Sequence, residues 1–211
     1  MKKSLKYIIT VAVILIVAYN SVYFKKLSEV KAAASSKQFD AVAYAQNYLV
    51  KKLPVALNKA MEVNELTGLL QSNPKEAFDK YSHALGIGNI RFFLVKGRGE
   101  ITKIEDDATF VLVKKDSASQ VIKIATEYVF GNAIRDASGL ININEFNNTM
   151  DFNNVSAEIN KIIRRDVLPP FKAGAKKGDR VEFTGAVELN QVHLKLDNIE
   201  VVPISLKIVN R

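Results

Sequence analysis

The chain has no cysteine and only two histidines among its 211 residues. Without a thiol it can form no disulfide, thiolate nucleophile or cysteine-held metal, and it cannot take a lipid through a cysteine thioether. His83 and His193 stand in different halves with no H-x-x-x-H spacing, so neither has a partner as base or metal ligand. Two glycine clusters also fail their tests. Gly86-Ile87-Gly88-Asn89-Ile90-Arg91 lacks the third glycine of a dinucleotide fingerprint, and Gly174-Ala175-Lys176-Lys177-Gly178 lacks the spacing and hydroxyl of a phosphate loop. The expectation is no metal and no cofactor. Stability must come from a packed core, for which the chain has enough apolar residues.

The first two dozen residues are the most informative part of what is there. Lys2, Lys3 and Lys6 precede an apolar run from Tyr7 to Tyr19, which Val22, Tyr23 and Phe24 extend before Lys25 and Lys26. A basic head on an apolar segment directs a chain to the bacterial membrane. From Leu5 to Phe24 a helix would reach roughly 30 Å, enough to span a bilayer core. No small-residue cleavage pattern follows Tyr19, and Ala32 and Ala34 lie too far downstream. The expectation is a single-pass inner-membrane protein with the remainder on the periplasmic side; release to the periplasm after signal cleavage is the alternative.

Charge follows the same division. Up to Lys37, seven lysines face one acid, Glu29, so +6 of the net +8 lies beside the membrane and the remainder carries only +2. A nucleic-acid binder carries its excess on the folded domain, so nucleic acid is not an expected partner. One basic run, Lys161 to Arg180, reads as a solvated helix face and loop with Arg164 exposed; a patch for anionic lipid heads or a partner is the other reading. Glu105, Asp106 and Asp107 read as a turn between strands, with a weak cation site as the alternative.

Four regions are expected: residues 1–24 as anchor or signal segment, 25–37 as a basic Ala/Ser linker, 38–87 as a helical region and 88–211 as a β-rich domain. Val42, Ala45 and Leu49 recur at helical spacing, Pro54 breaks or kinks that helix, and Val55 to Val63 resumes it. Asn73-Pro74 opens another helix, which Gly86 ends. After Gly88 the period changes to two: Ile90 to Leu94, a bend at Gly97 and Gly99, then Ile101 to Ile104, Phe110 to Val113 and Val121 to Ala125. Val155, Ile159, Ile162 and Ile163 line a helix that ends before Pro169. Val181 to Leu189 and Val202 to Ile208 follow as strands, with Pro203 marking an edge or bulge. Three strands, a helix and two strands is the element order of an OB-like five-stranded Greek-key β-barrel with its helix between strands 3 and 4. The fold class is therefore α+β, a helical layer followed by that barrel.

Val22-Tyr23-Phe24-Lys25-Lys26-Leu27-Ser28-Glu29-Val30 and Val129-Phe130-Gly131-Asn132-Ala133-Ile134-Arg135-Asp136, with the later Glu145-Phe146-Asn147, resemble the bacterial family called domain of unknown function 2291, described as predicted periplasmic lipoproteins. The resemblance covers nearly the whole chain beyond the apolar segment. It implies an accessory role beside sugar ABC transporters of the ribose type, whose components become the expected partners. The chain departs from the pattern in having no lipobox cysteine; its apolar run can supply the attachment instead.

The candidate ligand- or partner-binding residues are Arg135 and Asp136, with Gly131 and Asn132 of the same segment. Adjacent side chains diverge on a helix or strand, so Arg135 and Asp136 are expected to serve different partners. Arg135 suits a carboxylate or a sugar edge, and Asp136 a cap on the turn at Ala137-Ser138-Gly139. The structural alternative is a buried Arg135 paired with a remote acid. No catalytic residue is assigned. Three functional classes follow: an extracytoplasmic accessory or binding protein, a structural envelope interaction module, or a hydrolase in which Asp136 works with a second carboxylate.

Overall fold

The structure is a computed structural model that describes residues 3–21, 26, 39–115 and 118–209. It divides into two units, Met1–Phe39 and Asp40–Arg211. Val22 to Phe24, and the linker apart from Lys26, lie outside the described residues.

The first unit holds α1 (Lys3–Ser21), in which Thr10 and Ser21 return their hydroxyls to the carbonyls of Lys6 and Val17. Among the described residues no helix is long and apolar enough to cross a membrane. The expected span, Leu5 to Phe24, ends in residues outside those described.

The second unit opens with α2 (Ala41–Asn47), which Asp40 caps by accepting from the Ala43 N–H at 2.9 Å. Pro54 does not break the path. A π-helical turn, Tyr48–Lys52, leads into α3 (Leu53–Leu57) with the proline in its first turn, where its missing N–H costs little. The helix expected to run on to Val63 stops at Leu57. Lys59 and Ala60 donate back to Ala56 and Leu57, closing a turn before β1 (Met61–Glu62) and a new helix, α4 (Val63–Ser72). Asn73 caps α5 (Pro74–Tyr81) through the Glu76 N–H at 3.2 Å. That helix ends at Tyr81 rather than Gly86, because Ser82–His83, strand β2, pairs with Phe93 and Phe92.

The remaining strands are β3 (Ile90–Ile104), β4 (Ala108–Lys115), β5 (Ala118–Ala125), β6 (Arg180–Asn190) and β7 (Glu200–Ile208). β3 is their hub. One edge pairs antiparallel with β6 from Ile90 to Glu100; the other takes β2, then β1 in parallel, then β4 from Gly99 onward. β4 pairs with β5, β5 in parallel with β7, and β7 antiparallel with β6, so the pairings return to β3 in a mixed sheet. Gly97 and Gly99 do not interrupt β3. They are the places where neighbours come closest, since a Cβ would meet the Phe183 ring at 2.6 Å and the Leu112 carbonyl at 2.4 Å. A bulge does accompany Pro203: Thr184 faces Ser205 while Gly185 faces Pro203, leaving Ile204 extra. The extra residue shifts side-chain parity, so Val201 and Pro203 are buried before it and Ile204 and Leu206 from it onward.

Between β5 and β6 the chain forms α6 (Ala133–Ala137), a 3₁₀ turn at Ile143–Glu145, α7 (Thr149–Asp166) and α8 (Leu168–Gly174). Asn148 caps α7, and Phe152, Val155, Ile159 and Ile163 form its buried row. The fold is thus α+β, helices on a mixed sheet, with the core at Phe93, Val95, Ile101, Val111, Ile122, Ile124 and Phe183.

Candidate functional site

A cleft of about 510 Å³ opens where α3, the end of α5, β2, β3 and the turn after α6 meet. Its apolar floor is Val55, Ala56, Met61, Leu94 and Leu140, and Lys59, Lys80, Tyr81, His83 and Ser138 supply the polar lining. A second, polar lobe of about 270 Å³ shares His83 and Gly139 with it and adds Asp136 and Asn142.

Gly139 makes this junction possible. Its φ is +65°, and a Cβ there would lie 2.5 Å from His83 Nδ1, so the imidazole occupies the space a side chain would need. The Gly139 N–H donates to Asp136 O at 3.1 Å. Ser138 Oγ donates to Arg135 O at 3.2 Å and accepts from the Leu140 N–H at 3.1 Å. β2 is held from behind: Ser82 Oγ donates to Phe78 O at 2.5 Å and accepts from Arg91 Nε at 2.8 Å. Burial of part of the His83 ring, with the Arg91 cation near it, pushes the imidazole below its ordinary value. His83 therefore faces the cleft mainly as a neutral donor and acceptor.

Beneath the turn lie the sequence candidates. Arg135 and Asp136 do not diverge. Arg135 Nε and Nη2 hold the two Asp136 oxygens at 2.6 and 3.0 Å, with side chains only 2% and 4% exposed. The third nitrogen, Nη1, donates to Phe152 O at 3.2 Å, and the guanidinium lies 3.5 Å over the Phe152 ring. Arg135 thus has a full set of partners within the fold and does not reach the cleft. Its acid is the next residue rather than a remote one, because α6 is a single short turn whose two side chains can fold onto each other. The Asp136 carboxylate is held by Arg135 and does not cap the following turn, where Ser138 Oγ takes the Leu140 N–H; Asp136 is also among the residues lining the polar lobe. Tyr48, fully buried against this turn, donates to Ile134 O at 3.0 Å, and burial raises its phenol above the ordinary value.

Gly131 and Asn132 lie on the surface at the start of α6. Gly131, with φ +79°, accepts from Asn160 Nδ2 at 2.8 Å, and the Asn132 carbonyl accepts from the Asp136 N–H. Neither borders the cleft. In the basic run after Lys161, Lys161 meets Glu158, Arg165 meets Asp166 and Lys172 meets Glu127 in ion pairs open to water. Arg164 is half-buried rather than exposed, donating to the Val129 carbonyl and stacking on Phe130 at 4.5 Å. Glu105 and Asp107 meet Lys103 and Lys123, and among the described residues no group of three or more His, Asp or Glu side chains could hold a metal.

Lys59, Tyr81, Ser138 and Leu94 had no signal in the sequence, since each comes from a different element. Glycine in Ala137-Ser138-Gly139 was the one local hint.

An OB-fold protein from Thermotoga maritima MSB8 has a similar crystal structure: 29% identity, a TM-score of 0.72, and alignment over 82% of this chain and 100% of that one. No curated protein matches the chain. The pattern of the family described as predicted periplasmic lipoprotein (DUF2291) matches residues 12–207, and the chain, though without the cysteine a lipoprotein would acylate, belongs to that family.

Proposed function

We propose that this protein is an extracytoplasmic binding or accessory module that captures a small ligand at the His83 cleft. The ring of strands β3–β4–β5–β7–β6 acts in this reading as an OB-type five-stranded Greek-key barrel, carrying the cleft on the connections around it. One observation carries the proposal: an apolar floor with converging polar groups from α5, β2 and the turns after α3 and α6, of a size suited to small molecules. A hydrolase would need a second acid at Asp136. None lines its lobe among the described residues, and Arg135 already takes both carboxylate oxygens.

The apolar α1 behind its basic head supports export and retention at the membrane. Confinement near the membrane raises the effective concentration toward other membrane proteins, so a partner need not bind tightly. The partner we propose is a transporter component of the sugar ABC type that the family resemblance implies.

Native mass spectrometry of the full chain released gently from its own membranes tests this reading. The expected spectrum holds the uncleaved 23.4 kDa chain and a second species heavier by one small molecule. Leu140→Trp, which fills the cleft at a partly exposed position, should abolish the heavier species. A bare chain alone, or a heavier species untouched by Leu140→Trp, would overturn the assignment.

A further inference from the structure

We infer that the cleft takes a small amphipathic organic anion, a carboxylate or phosphate head on an apolar body. The inference rests on the reading of the cleft as a binding site and names its ligand class.

The charges of the larger lobe have one sign. Lys59 and Lys80 line it, and no acid does so among the described residues. Lys59 is exposed and its ammonium has no ion-pair partner among those residues. Lys80 reaches Glu76 at 2.7 Å, but both side chains are open to water, and such pairs contribute about 0–1 kcal/mol and exchange readily. His83 and Tyr81 add hydrogen-bonding groups beside these two cations.

The floor decides the rest. A free inorganic anion would satisfy the lysines and leave Met61, Leu94 and Leu140 wet. A neutral apolar molecule would cover the floor but bring nothing to two ammonium groups, and an organic cation would be repelled by both. Only a molecule with both properties uses the whole lining, and about 510 Å³ lies within the usual range for small-molecule sites.

The protein carries its own reporter. It has three methionines, of which Met61 lines the cleft while Met150 is exposed on α7. The full chain, labelled with methyl-¹³C methionine and held in zwitterionic lipid nanodiscs, is titrated with hexanoate, hexyl phosphate, hexanamide and inorganic phosphate. Hexanoate, hexyl phosphate or both should shift the Met61 methyl saturably and leave Met150 in place. Lys59→Gln with Lys80→Gln should raise that Kd about tenfold, and Lys114→Gln, an exposed lysine on β4, should not change it. Preference between the two heads tells a carboxylic acid from a phosphate ester.

Hexanamide binding as tightly as hexanoate would overturn the anion assignment while supporting the cleft as a site. Inorganic phosphate matching hexyl phosphate would overturn the amphipathic part. No Met61 response to any probe would overturn the inference as a whole, whereas the mass of the natively retained molecule judges the broader reading independently.

Discussion

Arg135 and Asp136 hold the turn that holds the cleft, and their chemistry is that of a buried ion pair. Removing one partner of such a pair strands the other, at a typical cost of about 3–5 kcal/mol. Arg135→Ala is therefore expected to lower unfolding stability by roughly 3 kcal/mol, while the Arg135→Met, Asp136→Leu double variant should cost clearly less. Urea denaturation of the three proteins checks this, and a double variant as damaged as the single one would contradict it. His83 offers a pH test. It faces Arg91 from β3, Lys80 and Lys59 across the cleft and Asp136 in the polar lobe, and its folded value lies below that of the unfolded chain. Between those two values the unfolded chain binds more protons, so this group's contribution to stability is complete above the ordinary imidazole value and falls as pH drops toward the folded one. The wild type should lose more stability than His83→Gln between pH 7.5 and 5 in denaturation curves. Equal losses would remove His83 from the account.

At the scale of elements, the sequence announced the helices with local signatures and hid those set by distant partners. Asn73-Pro74 was legible because a cap and its helix are neighbours in the chain, and the Asn73 side chain does bond the Glu76 N–H. The end of α5 was not, because Tyr81 is followed by Ser82 and His83, which pair with Phe93 and Phe92 of β3. Likewise the buried row of β7 changes parity at the Ile204 bulge, from Val201 on one side to Ile204 and Leu206 on the other, without a local mark beyond Pro203. The loop from Glu127 to Asn132 depends on α7 in the same long-range way. Arg164 bonds its Val129 carbonyl and covers Phe130, so Arg164→Ala is expected to cost about 1–2 kcal/mol, above the few tenths of a truly exposed side chain. Amide exchange at Phe130 and Gly131 should quicken in that variant; unchanged exchange and stability would show the contact to be ornamental.

On the scale of the whole molecule, the order of strands and helices gave the fold class, since alternation and caps are periodic and periodicity survives in one dimension. The site did not share that advantage. Arg135 and Asp136 were found as residues but misassigned as divergent, and the cleft beside them is assembled from α3, α5, β2, β3 and the turn after α6, which no spacing in the chain connects. Membership of a periplasmic family and the apolar α1 agree on an extracytoplasmic setting, so the molecule is best tested where it works. The most direct measurement places a photo-crosslinking amino acid at Tyr81, on the rim of the cleft, and in a second strain at Val121, exposed on β5 away from it. Illumination of intact cells followed by mass spectrometry should give a defined small-molecule adduct at Tyr81 and none at Val121. Adducts at Val121 alone, or none at either position, would contradict the account.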